Sequence, residues 1–103
     1  MDEEHELLKL GETRLTGTWL KANGSVRADD VSRRIDWLVS HHLARVAESP
    51  DGWSVLLRDP VDGRYWELTF PSSHLHGGGP PLLVMVSSAD AIERYQVTLP
   101  HAD

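Results

Sequence analysis

The chain has no cysteine, and that one absence excludes disulfide frameworks, thiolate metal sites and a thiol nucleophile. A reducing compartment is permitted by it. Long apolar runs are also missing: nothing approaches the roughly 20 residues that a membrane-spanning helix needs. The first six residues are acidic and are followed only by a short apolar-leaning stretch, Leu7 to Leu10, so the order of a secretory signal is absent and a cytoplasmic protein is expected. Positive charge is scarce, with ten Lys and Arg against sixteen Asp and Glu, for a net charge of −6. A nucleic-acid ligand is therefore disfavoured, because neutralising phosphates needs a basic surface. A basic protein partner is electrostatically favoured instead. The charge is uneven: residues 1–12 hold five acids against Lys9, and residues 13–103 hold eleven acids against nine bases.

No repeat, low-complexity tract or dividing linker interrupts the 103 residues. They read as one domain, residues 1–103, with residues 1–11 a loose acidic N-terminus and residues 96–103 a loose tail. A composition of 40% hydrophobic and 25% charged residues is that of an ordinary globular domain rather than a disordered one. Four tryptophans offer large anchors for its core.

Alternation from Arg14 to Leu20, with Leu15, Gly17 and Trp19 on one side, predicts a half-buried strand, and Asn23-Gly24 a tight turn after which Val26 returns along it. Asp29 or Asp30 is suited to cap a helix, since a carboxylate there accepts otherwise unpaired N–H groups. Val31, Ile35, Leu38, Val39 and His42 recur at three to four residues and form the buried stripe of that helix, with Arg33, Arg34 and Asp36 outside. Leu43 to Ala47 leans towards strand, because Ser49-Pro50-Asp51-Gly52 makes a turn into Trp53. Trp53 to Arg58 carries apolar residues on both faces, which predicts an internal strand. In Asp59-Pro60-Val61-Asp62-Gly63, Asp59 can bond the backbone ahead, Pro60 presets φ and Gly63 can turn left-handed. Arg64 to Phe70 then returns antiparallel, with Trp66, Leu68 and Phe70 on one face and Tyr65, Glu67 and Thr69 on the other. Leu82 to Val86 reads as a short strand, and Ser87 or Ser88 as the cap of a last helix through Tyr95. The expected fold is α+β: an antiparallel sheet of four to five strands, one principal helix packed on a face and a short C-terminal helix.

Chemistry concentrates between Glu67 and Pro81. His74 and His76 flank Leu75, and histidines at i and i+2 of an extended segment can share a metal, although a full site takes three or four ligands. Glu67 is the nearest further ligand and could equally serve as a general base, with Ser72 or Ser73 as nucleophile. Neither serine sits in a Gly-x-Ser-x-Gly elbow, and Glu67 reads as a solvent-side strand residue paired across to Arg58 or Arg64. Gly77-Gly78-Gly79 is followed by Pro80-Pro81, so the glycines mark a hinge or a close backbone crossing rather than a phosphate cradle opening a helix. Tryptophans at strand spacing read as core rather than as a ligand cage.

Several blocks together resemble the immunity protein 27 family of bacterial polymorphic toxin systems. They are Leu15-Thr16-Gly17-Thr18-Trp19, Arg34-Ile35-Asp36-Trp37-Leu38, Gly52-Trp53, Asp59-Pro60 with Asp62 to Pro71, and His76-Gly77-Gly78-Gly79-Pro80-Pro81. The resemblance spans about residues 12 to 95. It implies a small cytoplasmic antidote that binds a cognate toxin and carries out no catalysis, with no cofactor and no metal. On that reading the partner is a basic toxin domain such as a nuclease, and neither nucleic acid nor membrane is a partner. The contact residues expected are Asp59, Asp62, Arg64, Glu67, His74 and His76, with Glu3, Glu4 and Glu6 as steering charges. A monomer is the favoured state. Two alternatives stay open: a small metal-dependent or general-base enzyme using Glu67, His74 and His76, and a plain protein-interaction module.

Overall fold

A computed structural model describes residues 5–22, 24–71 and 79–99. Its elements are β1 (Arg14–Thr16), β2 (Trp19–Ala22), β3 (Ser25–Ala28), α1 (Asp30–His41), β4 (Ala44–Glu48), β5 (Val55–Arg58), β6 (Tyr65–Thr69), β7 (Leu82–Val86) and α2 (Ser88–Tyr95). Five strands form an antiparallel sheet in the order β1-β7-β6-β5-β4, and β2 pairs with β3 in a separate two-stranded sheet. This is the expected α+β class, with five strands in the main sheet and a short C-terminal helix.

The centre of the sheet follows from the period of two in β6. Trp66 and Leu68 face one way and join Leu8, Leu15, Ile35, Leu38, Leu43, Leu57 and Leu83 under α1. Tyr65 faces the other way and packs with Leu56, Ala91, Tyr95 and Leu99 under α2. The helices therefore cover opposite faces of one sheet. Each is stopped and started by the chemistry its ends require. The Asp29 carboxylate accepts from Ser32 N–H (2.8 Å) at the start of α1, and Ser87 Oγ accepts from Asp90 N–H (3.1 Å) at the start of α2. Burial alone would raise the Asp29 carboxyl, but hydrogen bonds from Ser32 and Thr18 outweigh it and hold the group below the ordinary carboxylate range.

The strand expected from Arg14 to Leu20 divides in two. Thr16 ends β1, and Thr18 is drawn onto the start of α1, where its N–H donates to Asp29 Oδ1 (3.1 Å) and Ser32 Oγ (3.1 Å) and its carbonyl accepts from Asp29 N–H (3.0 Å). Gly17 sits at the break, its N–H donating to Pro81 O (2.8 Å). A β-carbon at Gly17 would stand 2.7 Å from that same carbonyl and in collision with Ser32 Oγ, so only glycine fits. The hinge or crossing expected at Gly77-Gly78-Gly79 falls on residues of which 77 and 78 lie outside those described.

Of the two segments expected to be loose, residues 5–11 and 96–99 are among those described. Leu8 is buried in the α1 core, and Val97 and Leu99 pack into the α2 core. Trp66 and its three counterparts do not act alike. Trp66 is fully buried, Trp19 and Trp37 are half-buried, and Trp53 lies outside β5 in the preceding turn, 67% exposed.

Candidate partner-binding surface

The residues expected to form a contact surface divide into three groups. The first surrounds the β5–β6 turn. Asp59 Oδ1 accepts from Val61 N–H (2.8 Å), Asp59 N–H donates to Arg64 O (2.9 Å), Gly63 N–H donates to Asp59 O (2.8 Å) and Gly63 has φ +80°. These are the bonds the turn sequence predicts. The structure adds that Asp59 is only 1% exposed and that its Oδ1 lies 3.0 Å from Nε2 of His42, the residue capping the end of α1. A carboxylate so enclosed shapes the turn and ties it to the helix; it offers no surface to a partner. Asp62 accepts from the Arg64 backbone N–H (2.9 Å) and from Arg64 Nε (2.8 Å), which orients that guanidinium.

From there Arg64 reaches the second group, the N-terminal segment. Its Nη1 donates to Glu12 O (2.7 Å), its Nη2 donates to Lys9 O (2.9 Å), and the guanidinium carbon stands 5.0 Å from the centre of the Trp66 ring. Arg34 acts in parallel from α1. It grips the Glu12 carboxylate with two bonds (2.7 and 2.8 Å) and donates to Glu6 O (3.0 Å) and Leu7 O (2.9 Å). The hydrogen bonds from Arg34, against the opposing cost of burial, hold the Glu12 carboxyl down at about 2. Two arginines thus strap residues 6–12 over the α1 core. Sequence reading placed Arg34 outside and residues 1–11 loose, because a side chain that binds backbone carbonyls leaves no mark in charge or periodicity. Glu6 remains at the surface, paired to Lys9 at 3.3 Å.

The third group centres on Glu67, which is neither a free base nor paired to Arg58 or Arg64. Tyr95 OH donates to Glu67 Oε2 (2.8 Å) and shares a hydrogen bond with Ser54 Oγ (3.0 Å), while Arg94 Nη1 donates to Glu67 Oε1 (3.1 Å). Burial first, and the Glu67 carboxylate with it, push the Tyr95 phenol up to about 12. Glu67 is therefore the polar seam between the sheet and α2. Glu3, Glu4, His74 and His76 lie outside the described residues.

Among the described residues three large apolar side chains stand more than half exposed: Leu10 at 79%, Val61 at 74% and Trp53 at 67%. Trp53 is the largest of the three, and its turn is held by hydrogen bonds. In its turn Ser49 N–H donates to Ser54 O (2.9 Å), Gly52 N–H to Ser49 O (2.9 Å), Ser54 N–H to Ser49 Oγ (3.1 Å), and Trp53 N–H to Asp51 Oδ1 (2.9 Å). The sequence predicts the turn over Ser49 to Gly52 but starts the strand at Trp53, whereas β5 begins at Val55 and leaves Trp53 outside it.

The domain is thus an α+β sheet whose strand and turn charges are largely paired internally, with a few large apolar side chains exposed among the described residues. The chain belongs to the immunity protein 27 family, whose model matches residues 21–87, from the end of β2 to just past β7. The match contains the whole Asp59–Pro71 block and leaves the strapped N-terminal segment and α2 outside it. No curated protein and no solved structure matches the chain. No helix among the described residues is long and apolar enough to cross a membrane.

Proposed function

We propose that the protein is the antidote to a toxin domain, which it neutralises by forming a tight one-to-one complex that covers the toxin's active site or substrate surface. The observation that carries this reading is membership of an immunity protein family over residues 21–87. Such a role is one of binding, without catalysis, and it belongs in the cytoplasm of a cell exposed to the toxin. The net charge of −6 favours a basic toxin, for example a nuclease, whose own surface must attract phosphate. Acidic charge would then set the rate of capture, and a small number of anchors would set the lifetime of the complex.

Within that scheme Asp62 and Arg64 at the β5–β6 turn and Glu67 at the seam with α2 meet the partner through the part of each side chain that its internal bonds leave exposed, and Glu6, with Glu3 and Glu4, steers the approach. We assign His74 and His76 to the same recognition surface, and Asp59 to shaping the turn that displays Asp62. The general-base alternative loses support because the Glu67 carboxylate is already spent on Tyr95 and Arg94.

The test is co-expression of the chain with the C-terminal domain of a toxin encoded by the neighbouring gene. Rescue of growth and co-purification of the two chains at one-to-one stoichiometry are expected. A toxin domain that kills equally well with and without the chain, and does not co-purify, would overturn the reading.

A further inference from the structure

Trp53 is the largest exposed apolar side chain in the described surface, and it is displayed on a turn whose backbone is already hydrogen-bonded at four points. Exposing an indole to water gains the free fold nothing, since its burial is worth far more than its exposure. Tryptophan is also the residue type most enriched among the few positions that dominate protein interfaces, whereas leucine and valine are under-represented there. A pre-held turn removes part of the ordering cost that binding would otherwise incur.

The surroundings give the partner's chemistry. Asp51 Oδ1 accepts both from Trp53 N–H (2.9 Å) and from the Ser49 hydroxyl (2.5 Å), bonds that hold its carboxyl below the ordinary range. Glu48 Oε1 lies 3.4 Å from the position a β-carbon on Gly52 would take, so a second carboxylate rests against the same turn. Its present partner is the exposed Arg45 at 2.9 Å, an ion pair of little strength that a competing cation can displace. Two carboxylates on the turn that displays the indole match a guanidinium or ammonium group: the ring face can take the cation and the carboxylates offset its charge. The turn is also continuous with Glu67, because the next residue, Ser54, shares a hydrogen bond with Tyr95, which donates to Glu67.

We propose that Trp53 is the anchor of the complex and that it receives an arginine or lysine side chain of a basic toxin domain, with Asp51 and Glu48 flanking it. This rests on the toxin-binding reading and adds to it the position of the main contact, on the β4–β5 turn rather than at the β5–β6 turn at the opposite end of those strands. The experiment is a titration of the full chain against the toxin domain encoded beside it, comparing the unaltered protein with Trp53→Ala, Trp53→Phe, Glu48→Lys and, on the separate β2–β3 sheet, Leu20→Ala. Trp53→Ala is expected to weaken binding by about 30-fold or more with an unchanged thermal midpoint. Trp53→Phe, which keeps a ring, should recover most of the affinity. Glu48→Lys should slow association in a salt-dependent manner. Leu20→Ala should bind as the unaltered chain does. Binding by Trp53→Ala within about threefold of the unaltered protein would overturn the anchor while leaving the antidote reading intact. So would loss of a dimer of the free chain in Trp53→Ala with toxin affinity unmoved, which would assign the indole to a second copy. Failure of the unaltered chain to bind any such toxin would strike the underlying reading itself.

Discussion

The two faces of the central sheet are closed by different means. Under α1 the seal is apolar and deep, with Trp66, Ile35, Leu38, Leu57 and Leu83 almost wholly removed from water, and it is finished by a strap that two arginines hold by its carbonyls. Under α2 the core is smaller, and Glu67, Tyr95, Ser54 and Arg94 complete it as a polar seam. The contrast shows how a short chain can cover both sides of one sheet. Where helix length suffices, hydrophobic burial carries the face; where only eight residues of helix are available, hydrogen bonds to a strand carboxylate fix its position. The family match takes in α1 and four strands of this sheet, β4 to β7, and leaves out β1, the strap and α2.

The largest effect should come from hollowing the α1 face. Trp66→Ala is expected to cost about 3–5 kcal/mol, enough to unfold much of a marginal domain, measured by urea denaturation. Leu99→Ala, at the rim of the α2 core, should cost clearly less in the same assay, and equal losses would erase the distinction between the faces. Next comes Gly17→Ala, which forces a methyl group into Ser32 and Pro81 and should cost about 1–3 kcal/mol by overpacking.

The seals themselves can be told apart by pH. Glu12 titrates at about 2 when folded, below its ordinary 4.5, so the strap's contribution is complete above about pH 4.5 and is lost as pH falls towards 2. Tyr95 moves the opposite way, from 10 to about 12, so its contribution is complete below pH 10 and is lost as pH rises towards 12. Stability against pH should accordingly fall less steeply towards acid in Glu12→Gln, with the share of Asp29 and Asp51 remaining, and less steeply towards alkali in Tyr95→Phe, each variant leaving the other limb in place. A milder consequence is local: Arg34→Ala should free residues 6–12, seen as faster amide hydrogen exchange there with the sheet still protected. The smallest effect belongs to the exposed Arg45–Glu48 pair, where Glu48→Gln should change stability by less than about 0.5 kcal/mol. A larger loss would mean that the pair braces the Trp53 turn.

Much of the fold was legible from local chemistry. Asp29 and Ser87 cap the two helices, Asp59 to Gly63 makes the turn its residues predict, and the alternation of Tyr65 to Thr69 assigns each side chain to a face. The interruption at Gly17 was hidden, because a strand pattern continues through it and only contact with Pro81 and α1 shows why it breaks. The candidate surface was the least legible part. Charged residues at the hairpin looked available for a partner, yet Asp59 is enclosed beside His42, Arg64 is spent on backbone carbonyls and Glu67 on Tyr95. Trp53 looked like core and stands in solvent.

By itself the sequence determined most of the elements, the helix caps, the β5–β6 turn, the α+β class and the family, because these depend on spacings and local hydrogen bonds that a few neighbouring residues settle. Only the tertiary structure decided which charges are consumed internally, that α2 lies on the face opposite α1, and which tryptophan remains free. Those outcomes rest on contacts between residues far apart in the chain, such as Arg64 with Lys9 and Tyr95 with Glu67, and no local pattern encodes whether a polar group will meet water or another part of the fold.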